Sequence, residues 1–219
     1  MKKNKLLTVL IIIAIVISVL YFSFVIYTRI EDTLDHTAYK PVIYLYPEKE
    51  MKVSVKLGHP EKITSSYPLY EDGWDVVAKP DGGLKDLDTG RELYSLYWEG
   101  KHNYPTNLDT GFIVERNSII PFLEEKLELL GLNEREAEEF IIYWLPKLQE
   151  NKYNFINFVS LEDINNNMPL EVSPKPDTMI RIMMQFKGLD KKIKVKEQKL
   201  VTPERKGFTL VEWGGTELK

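Results

Sequence analysis

The stretch NSIIPFLEEKLELLGLNEREAEEFIIYWLPKL, residues 117–148, decides the fold class. On either side of it, apolar residues alternate with polar ones; within it they return every three or four positions. Ile119, Leu123, Leu127 and Leu130 share one helical face. Gly131 stands where a helix ends in a left-handed residue. Asn133, with Glu136 three positions later, reads as the capping box of a second helix. Ala137, Phe140, Ile141, Trp144 and Leu148 stripe that second helix, and Pro146 is expected to kink it or end it. The prediction is an αα-hairpin in mid-chain, whose apolar stripes need a sheet to cover them.

The sheet is legible outward from the hairpin. Towards the N-terminus lies KPVIYLYP (40–47), a run of β-branched and aromatic residues between prolines. MKVSVKL (51–57) alternates, with Val53, Val55 and Leu57 facing one way and Lys52, Ser54 and Lys56 the other. GWDVVAKP (73–80) and RELYSLYWEG (91–100) follow, separated by turns at Asp81-Gly82-Gly83 and Asp88-Thr89-Gly90. These segments read as a meander of four or five strands. Beyond the hairpin, MIRIMMQF (179–186) places Ile180, Ile182, Met184 and Phe186 together, and KIKVKEQKL (192–200) and FTLVEW (208–213) complete the pattern. Strands, then helices, then strands indicate an α+β fold: one antiparallel β-rich domain with a central αα-hairpin.

Ahead of this domain, Leu6 to Tyr27 are 22 consecutive residues without a charge. As a helix they cover roughly 33 Å, enough for a hydrocarbon core of about 30 Å. The run is longer than the ~7–15 apolar residues of a secretory signal, and no A-x-A cleavage pattern follows. It therefore reads as an uncleaved signal-anchor, with a cleaved signal the competing reading. Lys2, Lys3 and Lys5 precede it, while Glu31, Asp32 and Asp35 follow with a single Arg29. The expected orientation is N-terminus in the cytoplasm and C-terminal domain outside. Tyr21, Phe22, Phe24 and Tyr27 suit an interfacial aromatic belt. The expected division is an anchor over 1–28, a stalk over 29–39 and an extracytoplasmic α+β domain over 40–219.

Composition narrows the function. Setting aside the three lysines ahead of the anchor leaves 26 Lys and Arg against 33 Asp and Glu, a net charge of about −7. Nucleic acid is a poor partner for such a surface. The absence of cysteine excludes disulfides, thiol catalysis and thiolate metal sites. His36, His59 and His102 are the only histidines and lack H-x-x-x-H spacing, so no metal or cofactor is expected. DGGLKDLDTGRE (81–92) has acids at its first and twelfth positions, but Gly83, Lys85 and Asp86 break the calcium-loop pattern, so it reads as a hairpin with two turns, with a looser calcium site at Asp81, Asp86 and Asp88 the lesser alternative.

Three sets of residues are candidates for chemistry. Glu99 and Glu212 each stand beside a tryptophan near a strand end, and two carboxylates about 5–9 Å apart would suit glycoside hydrolysis. The plainer reading makes them rim glutamates, or buried carboxylates in ion pairs with Arg181 or Arg205. Lys194 and Lys196, within a lysine-rich segment, would bind polyanions or shield an edge strand. Tyr97, Trp98, Tyr143 and Trp144 are candidate ligand contacts among many aromatic residues. Alternation separates Trp98 from Tyr97 and Glu99, so burial of Trp98 would leave the other two for a groove.

The strings KPVIYLYP, GWDVVAKPDGG, LYWEG, LEEKLELLGL, EFIIYWLP, SPKPDTMIR and ERKGFTLVEWGG together resemble a family of bacterial proteins, mainly Gram-positive, with no assigned activity. The resemblance spans roughly 40–217 and implies that this stretch behaves as one unit. It transfers no catalytic roles. The expected function is a membrane-anchored extracytoplasmic domain that binds an envelope polymer or a membrane-protein partner. The alternative is an envelope glycan hydrolase using the Glu99–Glu212 pair. A third reading makes Tyr143-Trp144-Leu145-Pro146 a docking surface, which requires Trp144 to be exposed.

Overall fold

The computed structural model describes residues 13–23 and 36–218. The chain divides into two compact units, residues 1–35 and 36–219. In the first, residues 13–23 are helical (α1), and every one of them is exposed. Among the described residues, no helix is long and apolar enough to cross a membrane. The rest of the 6–27 run and the acidic flank lie outside the described residues.

The second unit is α+β, with two sheets. The larger is built from β1 (His36–Tyr46), β3 (Ile63–Tyr67), β7 (Leu96–His102), β8 (Thr110–Glu115), β9 (Tyr153–Phe158), β11 (Thr178–Leu189), β12 (Lys196–Glu197) and β13 (Thr209–Glu217). Their spatial order is β12-β8-β9-β11-β13-β1-β7-β3. The smaller contains β2 (Met51–Leu57), β4 (Trp74–Ala78), β5 (Leu84–Asp86), β6 (Glu92–Leu93) and β10 (Leu170–Ser173), in the order β10-β2-β4-β5-β6.

Alternation along the strands of the large sheet supplies two cores. Val42, Tyr44, Val211 and Trp213 pack with the stripes of α2 (Ile119–Leu129) and α3 (Glu134–Gln149). Their neighbours Ile43, Leu45 and Leu210 pack on the opposite face against Val53, Val55, Trp74 and Val76 of the small sheet. The large sheet is thus covered by helices on one side and by a second sheet on the other. Neither layer buries its apolar face without it.

The hairpin forms as its residues dictate. Gly131 adopts φ +90° and closes α2 with Gly131 N–H on Glu128 O and Leu132 N–H on Leu127 O, a Schellman end. Asn133 accepts from the Glu136 N–H (2.9 Å), and the Glu136 carboxylate accepts from the Asn133 N–H (2.8 Å). Such a cap is worth about 1 kcal/mol. α3 does not end at Pro146 but continues to Gln149.

Four corrections concern the strands. β1 begins at His36, so the last four residues of the expected stalk belong to the sheet and pair with β7 and β13. Residues 91–100 do not form one strand: β6 lies in the small sheet and β7 in the large one. The 192–200 strand shrinks to Lys196–Glu197, parallel to β8. Ile193 is exposed there, and Gln198 bonds both the N–H and the carbonyl of Phe158 through its side chain, in place of a backbone ladder. The pair β11·β13 is parallel, which sets Arg181 directly beside Glu212. The Asp81 and Asp86 carboxylates accept from Gly83 N–H and Thr89 N–H inside their own turns.

Candidate functional site

The site starts from a fault in β1. Its register breaks between Tyr39 and Val42 against β13 and between Ala38 and Val42 against β7, which marks a β-bulge. Within it Lys40 takes φ +52°, the one positive φ among the described non-glycine residues. A residue before proline is normally extended, so this backbone is held against its own preference. The Glu99 carboxylate accepts from the Lys40 N–H at 3.1 Å. On the other flank, Pro41 lies so close to Gly214 that a Cβ there would sit 3.0 Å from the proline ring. Glycine at 214 lets the bulge pack this closely, since any side chain there would press on Pro41.

The bulge aims the Lys40 ammonium over aromatic rings, 5.0 Å from the Tyr143 ring centre and 5.7 Å from that of Trp213. Lys147 approaches the same Tyr143 ring at 5.5 Å and Tyr39 at 5.8 Å. Four sequence strings therefore meet here: KPVIYLYP through Lys40, LYWEG through Glu99, EFIIYWLP through Tyr143 and VEWGG through Trp213. Beside Lys40 opens a cleft of about 460 Å³, lined by Val42, Tyr67, Glu92, Tyr94 and Tyr97 among others. Tyr67 and Tyr94 are about half exposed.

Burial pushes the Tyr143 hydroxyl up to about 12, with Glu99, Tyr97 and Tyr39 adding to the shift. Burial also raises the Tyr97 hydroxyl; Ser65 opposes the shift and Glu99 reinforces it. At neutral pH both hydroxyls stay protonated and remain hydrogen-bond donors. The cleft thus offers the rings and phenolic groups of Tyr67, Tyr94 and Tyr97, the Glu92 carboxylate and the Lys40 ammonium, while Glu99 and Tyr143 adjoin Lys40 and Lys147 shares the Tyr143 ring. That inventory suits binding of a polar, hydroxyl-rich ligand better than bond cleavage.

The structure separates the other candidates from this place. Trp98 is fully buried, so Tyr97 and Glu99 turn to the opposite face, where Tyr97 lines the cleft and Glu99 holds the Lys40 N–H beside it. Glu212 is also fully buried, on the Trp98 side of the sheet. It accepts from Trp98 Nε1 at 2.9 Å and from Arg181 Nε at 2.6 Å. Glu99 and Glu212 therefore face opposite sides of one sheet and share no space for a substrate. Arg181 is braced in turn by Asn165 at 2.8 Å, on the short helix α4 (Leu161–Asn167). The neighbouring Tyr104 hydroxyl is pushed far up by burial and by Glu212, and drawn back by Arg181. Arg205, the other arginine considered for a carboxylate, bonds Glu136 and the Gly131 carbonyl.

Trp144 is fully buried among Phe140, Tyr143 and Phe186, which removes it from any docking surface. Lys194 and Lys196 are exposed, but beside β8, at the edge of the large sheet remote from β1, β7 and β3. Lys194 lines a separate hollow of about 610 Å³ there, with Lys192, Glu115 and Lys126. Among the described residues no group of three or more His, Asp or Glu could hold a metal ion.

Sequence reasoning missed Lys40, Lys147 and Tyr39. The one signal for Lys40 was the Lys-Pro step, which argues for an extended residue and so points the wrong way. Comparison with protein-family models, with curated proteins and with solved structures finds no match.

Proposed function

We propose that this is a single-pass, membrane-anchored protein whose β-rich domain lies outside the cytoplasm and binds a saccharide polymer of the cell envelope in the cleft lined by Lys40, Tyr94 and Tyr97. The observation that carries the binding role is Lys40 at φ +52°. A strained backbone of this kind costs of order 1–3 kcal/mol and persists where the surroundings fix it for a task. Here the strain serves to place an ammonium over two rings beside a tyrosine-lined cleft. Aromatic faces with flanking donors and acceptors fit the alternating apolar and hydroxyl surfaces of a sugar.

The anchor is supported by α1, whose Ile13, Ile15, Val16, Ile17, Val19, Leu20 and Phe22 are all exposed. A helix that is apolar on every side needs a hydrocarbon environment. The lysines before it and the acids after it favour the domain outside. Protease added to intact cells should then remove the domain; full protection, with cleavage only after lysis, would reverse the orientation.

For the ligand, the full chain in detergent micelles should bind isolated cell envelopes, and Tyr97→Ala should lower that binding by roughly tenfold or more. A single stacked ring is worth about 0.5–1.5 kcal/mol beyond its buried area, which makes a tenfold loss a fair scale. No binding by the unaltered chain at any ionic strength would overturn the proposal and shift the weight to a membrane-protein partner. The carboxylate-pair hydrolase draws no comparable support, since its two groups face opposite sides of the sheet.

A further inference from the structure

Resting on that reading of the cleft, we infer that the bound saccharide carries an oxyanion, a carboxylate or a phosphate, which sits against the ammonium groups of Lys40 and Lys147. Both ammoniums lie within 6 Å of the Tyr143 ring centre. Among the described residues, neither has a carboxylate within salt-bridge distance. The acid on the spot is Glu99, and one of its oxygens is already taken by the Lys40 backbone N–H. Glu92, in the cleft itself, pairs with Lys79 at 3.6 Å, so three cations stand against two carboxylates here, in a domain whose net charge is negative.

The arrangement is held in place. The bulge fixes the Lys40 backbone, and each ammonium rests on an aromatic face worth about 0.5–2 kcal/mol. Lysines merely solvating a surface would not need such placement. An oxyanion in reach of both would gain a charge-assisted hydrogen bond from each. The neutral part of the ligand would then run along the rings of Tyr97, Tyr94 and Tyr67 towards the far end of the cleft. Carboxylated sugars and phosphate-linked polyols present the same chemistry here, and the choice of probes separates them.

The test is titration calorimetry of the full chain in detergent micelles with four probes: polygalacturonate, a glycerol-phosphate polymer, neutral dextran and inorganic phosphate. Lys147 is exposed on the last turn of α3, so Lys147→Gln leaves the fold intact. Lys40→Gly keeps the positive φ while deleting the ammonium. At least one acidic polymer should bind roughly tenfold tighter than dextran, the preference should fade with added salt, and each variant should lose most of it. Equal binding of acidic and neutral polymers, or an acidic preference unchanged in both variants, overturns the oxyanion and leaves the saccharide cleft standing. Binding of inorganic phosphate without any polymer keeps the oxyanion site and overturns the saccharide. No heat from any probe overturns both.

Discussion

Arg181→Met is expected to destabilise the domain by about 3–5 kcal/mol, the cost of breaking a buried ion pair from one side. Both side chains of the Arg181–Glu212 pair are fully shielded from solvent. Removing the guanidinium leaves a carboxylate whose remaining partner is the indole N–H of Trp98. Glu212 shares its face with Leu210 and the apolar layer of Ile43, Leu45 and Trp98, which supplies no second cation. At about 2–4 °C per kcal/mol for a domain of this size, the melting temperature should fall on the order of 10 °C. Glu212→Gln should show a comparable loss, since it strands the arginine instead. The double variant Arg181→Met with Glu212→Leu should recover most of the stability, as apolar replacement of buried pairs often does. Thermal and urea unfolding followed by circular dichroism checks all three. A single variant that unfolds at the unaltered temperature would mean that the pair contributes nothing. The result also bears on chemistry: an activity lost in Glu212→Gln together with the fold would say nothing of catalysis.

What could be read from the chain follows burial geometry. MKVSVKL was legible because β2 buries one face and wets the other, so its residues alternate. The two helices were legible through their stripes and through Gly131 and Asn133. YNFINF in β9 was not, because Asn154 and Asn157 are as buried as the phenylalanines on both faces, which erases the alternation. Lysine alternation in 192–200 imitated a strand, but exposed Ile193 shows that nothing lies beneath to hold it. The site was half legible. Tyr97 and Glu99 followed from the alternation around Trp98. Lys40 did not, since residue type carries no sign of a positive φ in a lysine before proline. The partner of Glu212 was narrowed to Arg181 or Arg205, and the parallel register of β11 and β13, which joins residues 31 apart in sequence, selects Arg181.

Two adjacent residues of α3 provide the sharpest division between core and cleft. Trp144→Ala is expected to cost about 3–5 kcal/mol, the usual range for deleting a large buried aromatic side chain. Its ring meets Phe186 edge-on at 5.8 Å and fits so tightly over Gly215 that a Cβ there would lie 2.8 Å from it. No neighbouring side chain can close such a gap without leaving its own contacts. Tyr143→Ala removes a half-buried ring whose partners are the two ammonium groups and the edge of Trp144. It should cost under about 1.5 kcal/mol in stability, the scale of exposed cation–aromatic contacts with modest lost burial. The binding effects should run the other way. Tyr143→Ala frees both lysines from their shared ring and should abolish the preference for acidic polymers. Trp144→Ala, assayed below its lowered melting temperature, should retain that preference, since Trp144 reaches the cleft only through the chain. Melting curves and polymer titrations on the two variants give a crossed pattern if the face of α3 is assigned correctly. A stable Trp144→Ala that no longer binds, beside an unstable Tyr143→Ala that does, would reverse the assignment and make Trp144 the ligand residue.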